Sequence, residues 1–197
     1  QPVFDIKTPT GTGTTIFNPT TNSTTTIGVS TDTSPRLYYC NGLDMTGTTK
    51  IIVDGPVQLV MTGGGAFYIG LHGGTPSIQI NATGSLEAFT TGDIAIYGGG
   101  ISNATKNPKK IAVYGTNTLT VPDMNTTTPF YGVIYTPTGN FTVAGNTTSI
   151  YGAVVAKKIS LTGSAPAIHY DLNLRQEVFT GIDTPFSVAN LSEATNL

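Results

Sequence analysis

The sequence predicts an all-β protein built as a parallel β-solenoid, in which short strands stack in successive coils. The first observation is a set of Tyr-Gly pairs that recur at intervals of about 17 to 20 residues, a period typical of stacked repeats. Each pair lies beside a short β-branched run, and the pairs are Tyr97-Gly98, Tyr114-Gly115, Tyr131-Gly132 and Tyr151-Gly152. The second is that turn residues such as Asn41-Gly42 and Asp54-Gly55 separate these apolar runs. The third is that no apolar stripe with the period of an α-helix persists.

The two clearest copies of the repeat are residues 131–146 and 151–164, which align when two residues are dropped from the turn of the first. A coil of about 17 to 20 residues is long enough for about three short strands and their corners. Alternation along the second strand of each copy predicts that Phe141 and Val143 point inward, and that Ile159 and Leu161 do the same.

The composition is typical of an extracellular β-rich protein. Charged residues make up 10 % of the 197 residues, whereas about 25 % is usual in soluble domains. With nine Lys and Arg and a net charge of −2, the chain has no basic field for nucleic acid. No apolar run approaches the ~20 residues of a membrane span, so none is expected. A single cysteine excludes an intramolecular disulfide, and Cys40 is expected to be a buried structural thiol.

Three segments are predicted. Residues 1–35 form a Thr-rich N-terminal arm, since twelve of the 26 residues from Thr8 to Thr33 are threonine. Such an arm is either an extended strand along a sheet edge or a flexible linker, and its apolar residues favour the ordered form. Residues 36–170 form the β-solenoid. Residues 171–197 form a C-terminal cap and tail, in which Asp171 to Glu177 is expected to make a short helix over the last coil.

A series of motifs in the last two thirds of the chain resembles an uncharacterised bacterial domain family, whose members often follow a type-IV-pilin-like N-terminal segment in envelope or secreted proteins. The resemblance covers about Lys50 to Asp171. The motifs are Ile111-Ala-Val-Tyr-Gly115, Phe130-Tyr-Gly-Val-Ile-Tyr135, Tyr151-Gly-Ala-Val-Val155, Ile159-Ser-Leu-Thr-Gly163 and His169-Tyr-Asp171. The resemblance implies a right-handed solenoid on the cell surface or in a pilus-related assembly. It supplies no catalytic residue.

No catalytic, cofactor-binding or metal site is predicted. The acids are dispersed singly, Asp54 and Asp93 occur at turns, and His72 has no partner at metal-ligand spacing. In His169-Tyr170-Asp171 the first and third residues share a face of the strand, and a hydrogen bond between His169 and Asp171 is expected to hold the cap. The chain is therefore not expected to be an enzyme.

The expected function is that of a non-enzymatic extracellular structural protein. It is displayed on a cell surface, or it forms a homo-oligomer through its N-terminal arm or solenoid ends, growing into a filament or pilus-like appendage by pairing of strand edges. The alternative is a carbohydrate-binding adhesin or a polysaccharide-active solenoid. In that case Tyr131, Tyr135 and Tyr151 would stack on the sugar rings of cell-surface glycans.

Overall fold

The computed structural model describes residues 6, 8–11, 15–16, 19–115 and 124–174, and their secondary structure is almost entirely strand. Two single-turn 3-10 helices, Pro108–Lys110 and Leu172–Leu174, are the exceptions among these residues. The all-β prediction is therefore confirmed. No helix in the described ranges is long and apolar enough to cross a membrane.

The strands are β1 (Thr15–Ile16), β2 (Thr24–Ile27), β3 (Arg36–Cys40), β4 (Leu43–Gly47), β5 (Lys50–Val53), β6 (Pro56–Met61), β7 (Phe67–Gly74), β8 (Ser77–Ile80), β9 (Ser85–Phe89), β10 (Ile94–Gly98), β11 (Gly100–Asn103), β12 (Ile111–Tyr114), β13 (Met124–Thr126), β14 (Phe130–Ala144), β15 (Ser149–Thr162) and β16 (Ala167–Tyr170).

All strand pairs described are parallel, and the strands form three rows that the chain visits in turn. The first row holds β1, β3, β6, β9, β12, residues 130–136 of β14, residues 149–156 of β15, and β16. The second row holds β4, β7, β10, β13 and the later parts of β14 and β15. The third row is β2, β5, β8 and β11. Because β14 pairs with both β12 and β13, the first two rows join into one sheet of twelve strands.

The register between β14 and β15 confirms the alignment of the last two repeats. Residues 130–136 pair with 150–156, and pairing resumes at Asn140 opposite Lys158, so that β14 contains two extra residues between the two stretches. The two earlier Tyr-Gly pairs do not fit this repeat, and that part of the prediction is wrong. Tyr114 lies opposite Tyr135, and Tyr97 lies in the second row opposite Asn125. Connections of unequal length between the rows break the sequence period there.

The main core lies between the rows and is built from stacked columns of side chains. In the second row, one column contains five neighbouring residues, each at most 1 % exposed: Met45, Ile69, Ile96, Met124 and Val143. Each strand thus covers the apolar side chains of the one before it, which stabilises the fold by roughly 1.5–3 kcal/mol per fully buried side chain.

The inward orientation predicted for Phe141 and Val143 is confirmed, because both are completely buried. Ile159 and Leu161 continue the same two columns but are 42 % and 52 % exposed. The expectation that they are core residues is wrong for a positional reason. They lie in residues 158–162, the last stretch of the second row, and no further described strand pairs with it.

A second hydrophobic cluster, which we call the outer cluster, lies on the other side of the first row. Alternate residues of its strands supply the cluster, and the rings of Phe89 and Tyr114 stack there with centroids 4.7 Å apart. Ile6 packs against this cluster, and Tyr39 donates a hydrogen bond to the carbonyl of Pro9. The first row is therefore apolar on both faces, as is expected of a parallel sheet that is covered on both sides.

Both ends of the predicted solenoid contribute to these rows and clusters. In the Thr-rich segment, β1 pairs with β3 and β2 pairs with β5, so its described strands belong to the sheets of their own chain. At the other end the 3-10 helix Leu172–Leu174 lies where a short helix is predicted, and it buries Leu174 in the outer cluster. Residues 175–197 of the predicted cap and tail lie outside the described ranges. Cys40 is a buried free thiol, as predicted.

Candidate functional site

Three aromatic rings form a continuous stack along the outer side of the first row. The rings of Tyr131 and Tyr151 are 4.9 Å apart at 13°, and the rings of Tyr151 and His169 are 4.7 Å apart at 12°. The stack follows directly from the register, since Tyr131 lies opposite Tyr151 and Tyr151 lies opposite His169 on adjacent strands. Its rings face one another, and both faces of Tyr151 are covered.

In this geometry, two of the three tyrosines that were expected to stack on sugars have both ring faces or nearly all of their surface covered. Tyr151 has no free ring face, because one side meets Tyr131 and the other meets His169. Tyr135 is 3 % exposed and packs edge-on against Tyr114 in the outer cluster. The sequence indicates tyrosines at related positions but not which side of the sheet or which neighbours cover them. Tyr131 alone keeps one face that the stack does not occupy.

His169 and Asp171 each interact with other residues instead of forming the expected hydrogen bond with each other. The Asp171 carboxylate accepts a hydrogen bond of 2.8 Å from the backbone N–H of Asn173, and the Asp171 backbone N–H donates to the carbonyl of Gly152. His169 stacks on Tyr151, and within the described ranges the two side chains form no mutual hydrogen bond. Asp171 therefore supports the turn into the 3-10 helix through its own neighbours.

The second row carries a feature that the sequence pattern did not reveal, a bulge in β7. Between two register pairs, Met45 with Ile69 and Gly47 with Gly74, β4 advances two residues while β7 advances five. The three extra residues are accommodated by glycines with positive φ, at Gly70, Gly73 and Gly74. Such bulges re-aim side chains and are frequent beside functional sites. Here the bulge carries His72.

Four polar and aromatic side chains meet beside the bulge, and we refer to Asp44, Tyr68, His72 and Asp93 as the row-two cluster. His72 Nδ1 lies 2.9 Å from an Asp44 carboxylate oxygen, and the Tyr68 hydroxyl donates to Asp93 over 3.5 Å. The rings of Tyr68 and His72 meet edge to face, 5.6 Å apart at 79°. His72 and Asp44 are about half exposed, so the cluster is open to solvent.

The surroundings of Tyr68 raise the pKa of its hydroxyl. Burial raises the pKa of this phenol, and the nearby carboxylates of Asp93 and Asp44 raise it further. A protonated phenol is both a donor and an acceptor. The cluster therefore offers carboxylate acceptors, a hydroxyl and an imidazole on one exposed surface.

The two hydrogen-bonded contacts of the cluster join residues that are remote in the chain, which is why no local motif reveals them. In the sequence alone, Asp44 and Asp93 are isolated acids and Tyr68 is an ordinary strand residue. The available signal was that neighbouring strands of one row place same-face residues side by side. Asp44 lies opposite Tyr68, and Tyr68 lies opposite Ala95, two residues after Asp93.

Other acids have structural partners. Glu87 accepts a hydrogen bond from Gln58, and Asp54 accepts one from Asn81, in each case across neighbouring strands. Within the described part of the chain, no three His, Cys, Asp or Glu side chains converge closely enough to hold a metal ion.

A second candidate surface is the exposed apolar end of the second row. We refer to Ile159 and Leu161 as the open end. In the preceding strand the equivalent residues, Phe141 and Val143, are fully covered. The open end thus combines apolar side chains with a strand that has, among the described residues, a partner on one side alone.

A family of proteins matches this chain over residues 12–177. The match includes strands of all three rows, the row-two cluster and the open end. It also runs across residue 35, where the predicted arm was expected to end. No curated protein and no solved structure is similar enough to the chain to count as a match. The chain belongs to the family described as Domain of unknown function (DUF7305).

Proposed function

We propose that this chain is a non-enzymatic extracellular structural protein, wound as a right-handed parallel β-solenoid, that assembles with further copies of itself at its open end. The observation that carries the proposal is the exposure of Ile159 and Leu161 in columns whose other members are buried. The low content of charged residues and the abundance of threonine and glycine support an extracellular location.

The winding is supported by the order in which the chain visits the rows and by glycines stacked at the corners. Gly42 and Gly65 lie in contact where the first row turns into the second, and Gly47 and Gly74 do so where the second turns into the third. A side chain at Gly65 or Gly74 would overlap the backbone of the neighbouring turn. Corners that repeat in space in this way are typical of a coil, and the handedness follows the preference for right-handed crossovers between parallel strands.

Assembly is supported by the physical cost of the open end. A strand with an unpaired edge is a template for another strand, and exposed apolar side chains on it gain free energy when they are covered. At the opposite end of the second row, β4 pairs with β7 and with no other described strand. Pairing of the open end of one copy with the first strand of the second row in the next copy is heterologous, and such contacts propagate into filaments. A filament or pilus-like appendage is the proposed product.

The experiment that tests this proposal compares the wild type with the double variant Ile159→Ser, Leu161→Ser by sedimentation velocity over a range of concentrations, with negative-stain electron microscopy of the same samples. The wild type should form concentration-dependent oligomers, and the double variant should remain monomeric with an unchanged circular dichroism spectrum. Leu172→Ser is the matched control, because Leu172 is also an exposed aliphatic residue, at 63 %, but lies in the 3-10 helix after β16, outside the second row. A wild type that stays monomeric, or a double variant that assembles equally well, would refute the proposal.

The second candidate function is a carbohydrate-binding adhesin. The observation that favours it is the row-two cluster, in which two carboxylates lie beside Tyr68. The tyrosines first expected to serve this function are covered in two of three cases, so the adhesin proposal rests on the row-two cluster instead. A polysaccharide-active enzyme would need an acid and a base that act on one bond.

A further inference from the structure

We propose that the row-two cluster is a binding site for an uncharged saccharide chain. This inference deepens the second candidate function and rests on it, but it concerns a different surface from the open end and does not depend on self-assembly. It is carried by the bulge that presents His72, by the positions of the two carboxylates, and by the angle between the two aromatic rings.

The bulge is a local departure from an otherwise regular row. β7 lies between β4 and β10 in the sheet, and β4, its neighbour on one side, spans the equivalent stretch with three fewer residues. The extra residues bring His72 back over the neighbouring strand, where it contacts Asp44. In a regular strand, the side chain at this position would lie further along the row and would not contact Asp44. The cluster therefore depends on the bulge.

The two carboxylates lie on opposite sides of Tyr68. Asp44 is on β4, Tyr68 is on the central strand β7, and Asp93 directly precedes β10. Since neighbouring strands are about 4.8 Å apart, the backbones that carry the carboxylates are separated by about 10 Å. A ligand that contacts both has to extend across the strands and offer several hydrogen-bond donors, as the hydroxyl groups of consecutive sugar units do.

The aromatic rings supply the apolar part of the site. Tyr68 and His72 meet at 79°, so together they form a corner and not a flat stack. A corner of this kind can receive the C–H face of a sugar ring against one ring while the other bounds its edge. Aromatic rings with a polar tip suit ligands that are apolar on one face and hydroxylated at the rim. The stack of Tyr131, Tyr151 and His169 lacks such a corner.

The charges of the site select against acidic ligands. Carboxylates accept charge-assisted hydrogen bonds from hydroxyl groups, whereas an anionic sugar would be repelled by Asp44 and Asp93. The Tyr68 phenol, whose proton is donated to Asp93, can accept a hydrogen bond from a sugar hydroxyl. We therefore expect binding of neutral oligosaccharides and exclusion of uronic acid polymers.

The test is isothermal titration calorimetry of the full chain with hexasaccharides of glucose, mannose, galactose and N-acetylglucosamine, and with an oligogalacturonate of equal length. At least one neutral hexasaccharide should bind at millimolar concentration or below, and the oligogalacturonate should bind at least about tenfold more weakly. Asp44→Asn and Asp93→Asn should each weaken neutral binding by about tenfold, as expected for loss of a hydrogen bond to a charged group. Asp54→Asn is the matched control, because Asp54 accepts a cross-strand hydrogen bond beside the third row, and it should bind as the wild type does.

The outcome separates this proposal from self-assembly. The Ile159→Ser, Leu161→Ser variant should bind the same hexasaccharide with wild-type affinity whether or not the wild type forms filaments. Absence of binding to all four neutral probes would overturn the inference. So would full retention of affinity in both Asp44→Asn and Asp93→Asn, which would make the His72–Asp44 contact a surface hydrogen bond that merely holds the bulge.

Discussion

The carbonyl oxygen of Gly132 occupies the position where a side chain at Gly152 would begin. The two glycines lie opposite each other in β14 and β15, directly beside the stacked rings of Tyr131 and Tyr151. The close approach of two backbones at this point explains why the Tyr-Gly pair recurs in both strands. Glycine is required there by the neighbouring strand as well as by its own φ of 150°.

Gly152→Ala is therefore predicted to destabilise the protein severely, by more than about 3 kcal/mol, because the added methyl group overlaps backbone that has to move. Gly64→Ala is the matched control. Gly64 also has a positive φ, of 79°, but a methyl group there would meet nothing within 4 Å. Its cost should be the conformational one alone, about 1–2 kcal/mol. Urea unfolding followed by circular dichroism gives both values, and equal losses would contradict the explanation.

The central ring of the aromatic stack should contribute more to stability than either outer ring. Tyr151→Leu removes two ring contacts, and each is worth about 0.5–1.5 kcal/mol beyond the area it buries. Tyr131→Leu and His169→Leu each remove one. We expect the free energy of unfolding to fall about twice as far for Tyr151→Leu as for either outer variant. A double-mutant cycle between Tyr151 and His169 isolates their contact, and a coupling energy of zero would show that the rings are only neighbours.

Cys40 should react slowly with thiol reagents in the folded protein. It is 2 % exposed, and burial raises the pKa of its thiol, so less thiolate is present at a given pH. Alkylation by iodoacetamide at mildly alkaline pH should accelerate greatly when the protein is unfolded in urea. Equal rates in the folded and unfolded states would show that the thiol is accessible.

The same pKa shift predicts an alkaline loss of stability. Because the folded-state pKa is raised, the contribution of Cys40 is complete below the pKa of the unfolded thiol, about 8.5, and is lost as the pH rises through the folded-state pKa. Cys40→Ala should remove this part of the pH dependence. Unfolding free energies of wild type and variant measured between neutral and alkaline pH provide the test, and identical pH profiles would contradict the prediction.

The sequence predicts the elements of this fold better than their spatial relations. Alternation of apolar residues and Gly-containing turns was enough to locate most strands, and residues 131–146 and 151–164 were aligned with the correct two-residue offset. Those predictions depend on local geometry. Local patterns do not show whether Tyr135 faces a covered surface, because the residues that cover it are remote in sequence. They also do not show whether another strand pairs beyond Leu161, because this depends on where the row ends.

The row-two cluster could not be predicted for a related reason. Its members lie side by side on neighbouring strands of the second row. Fewer residues separate Asp44 from Tyr68 than separate Tyr68 from Ala95. Both separations along the chain are longer than the interval between the Tyr-Gly pairs, so a search with that interval misses them. The bulged stretch of β7 also has no apolar pattern of its own, since it consists of Gly70, Leu71, His72 and Gly73.

The two irregularities in the rows, the bulge of β7 and the two extra residues between Thr136 and Asn140, show how this architecture absorbs changes in length. In both places the chain resumes its register beyond the insertion, and the buried columns on either side continue unbroken. Insertions and deletions at these points therefore alter what the surface presents while leaving the inward pattern intact. Such a scaffold can acquire new recognition loops during evolution, or by grafting in the laboratory, without the selection of a new core.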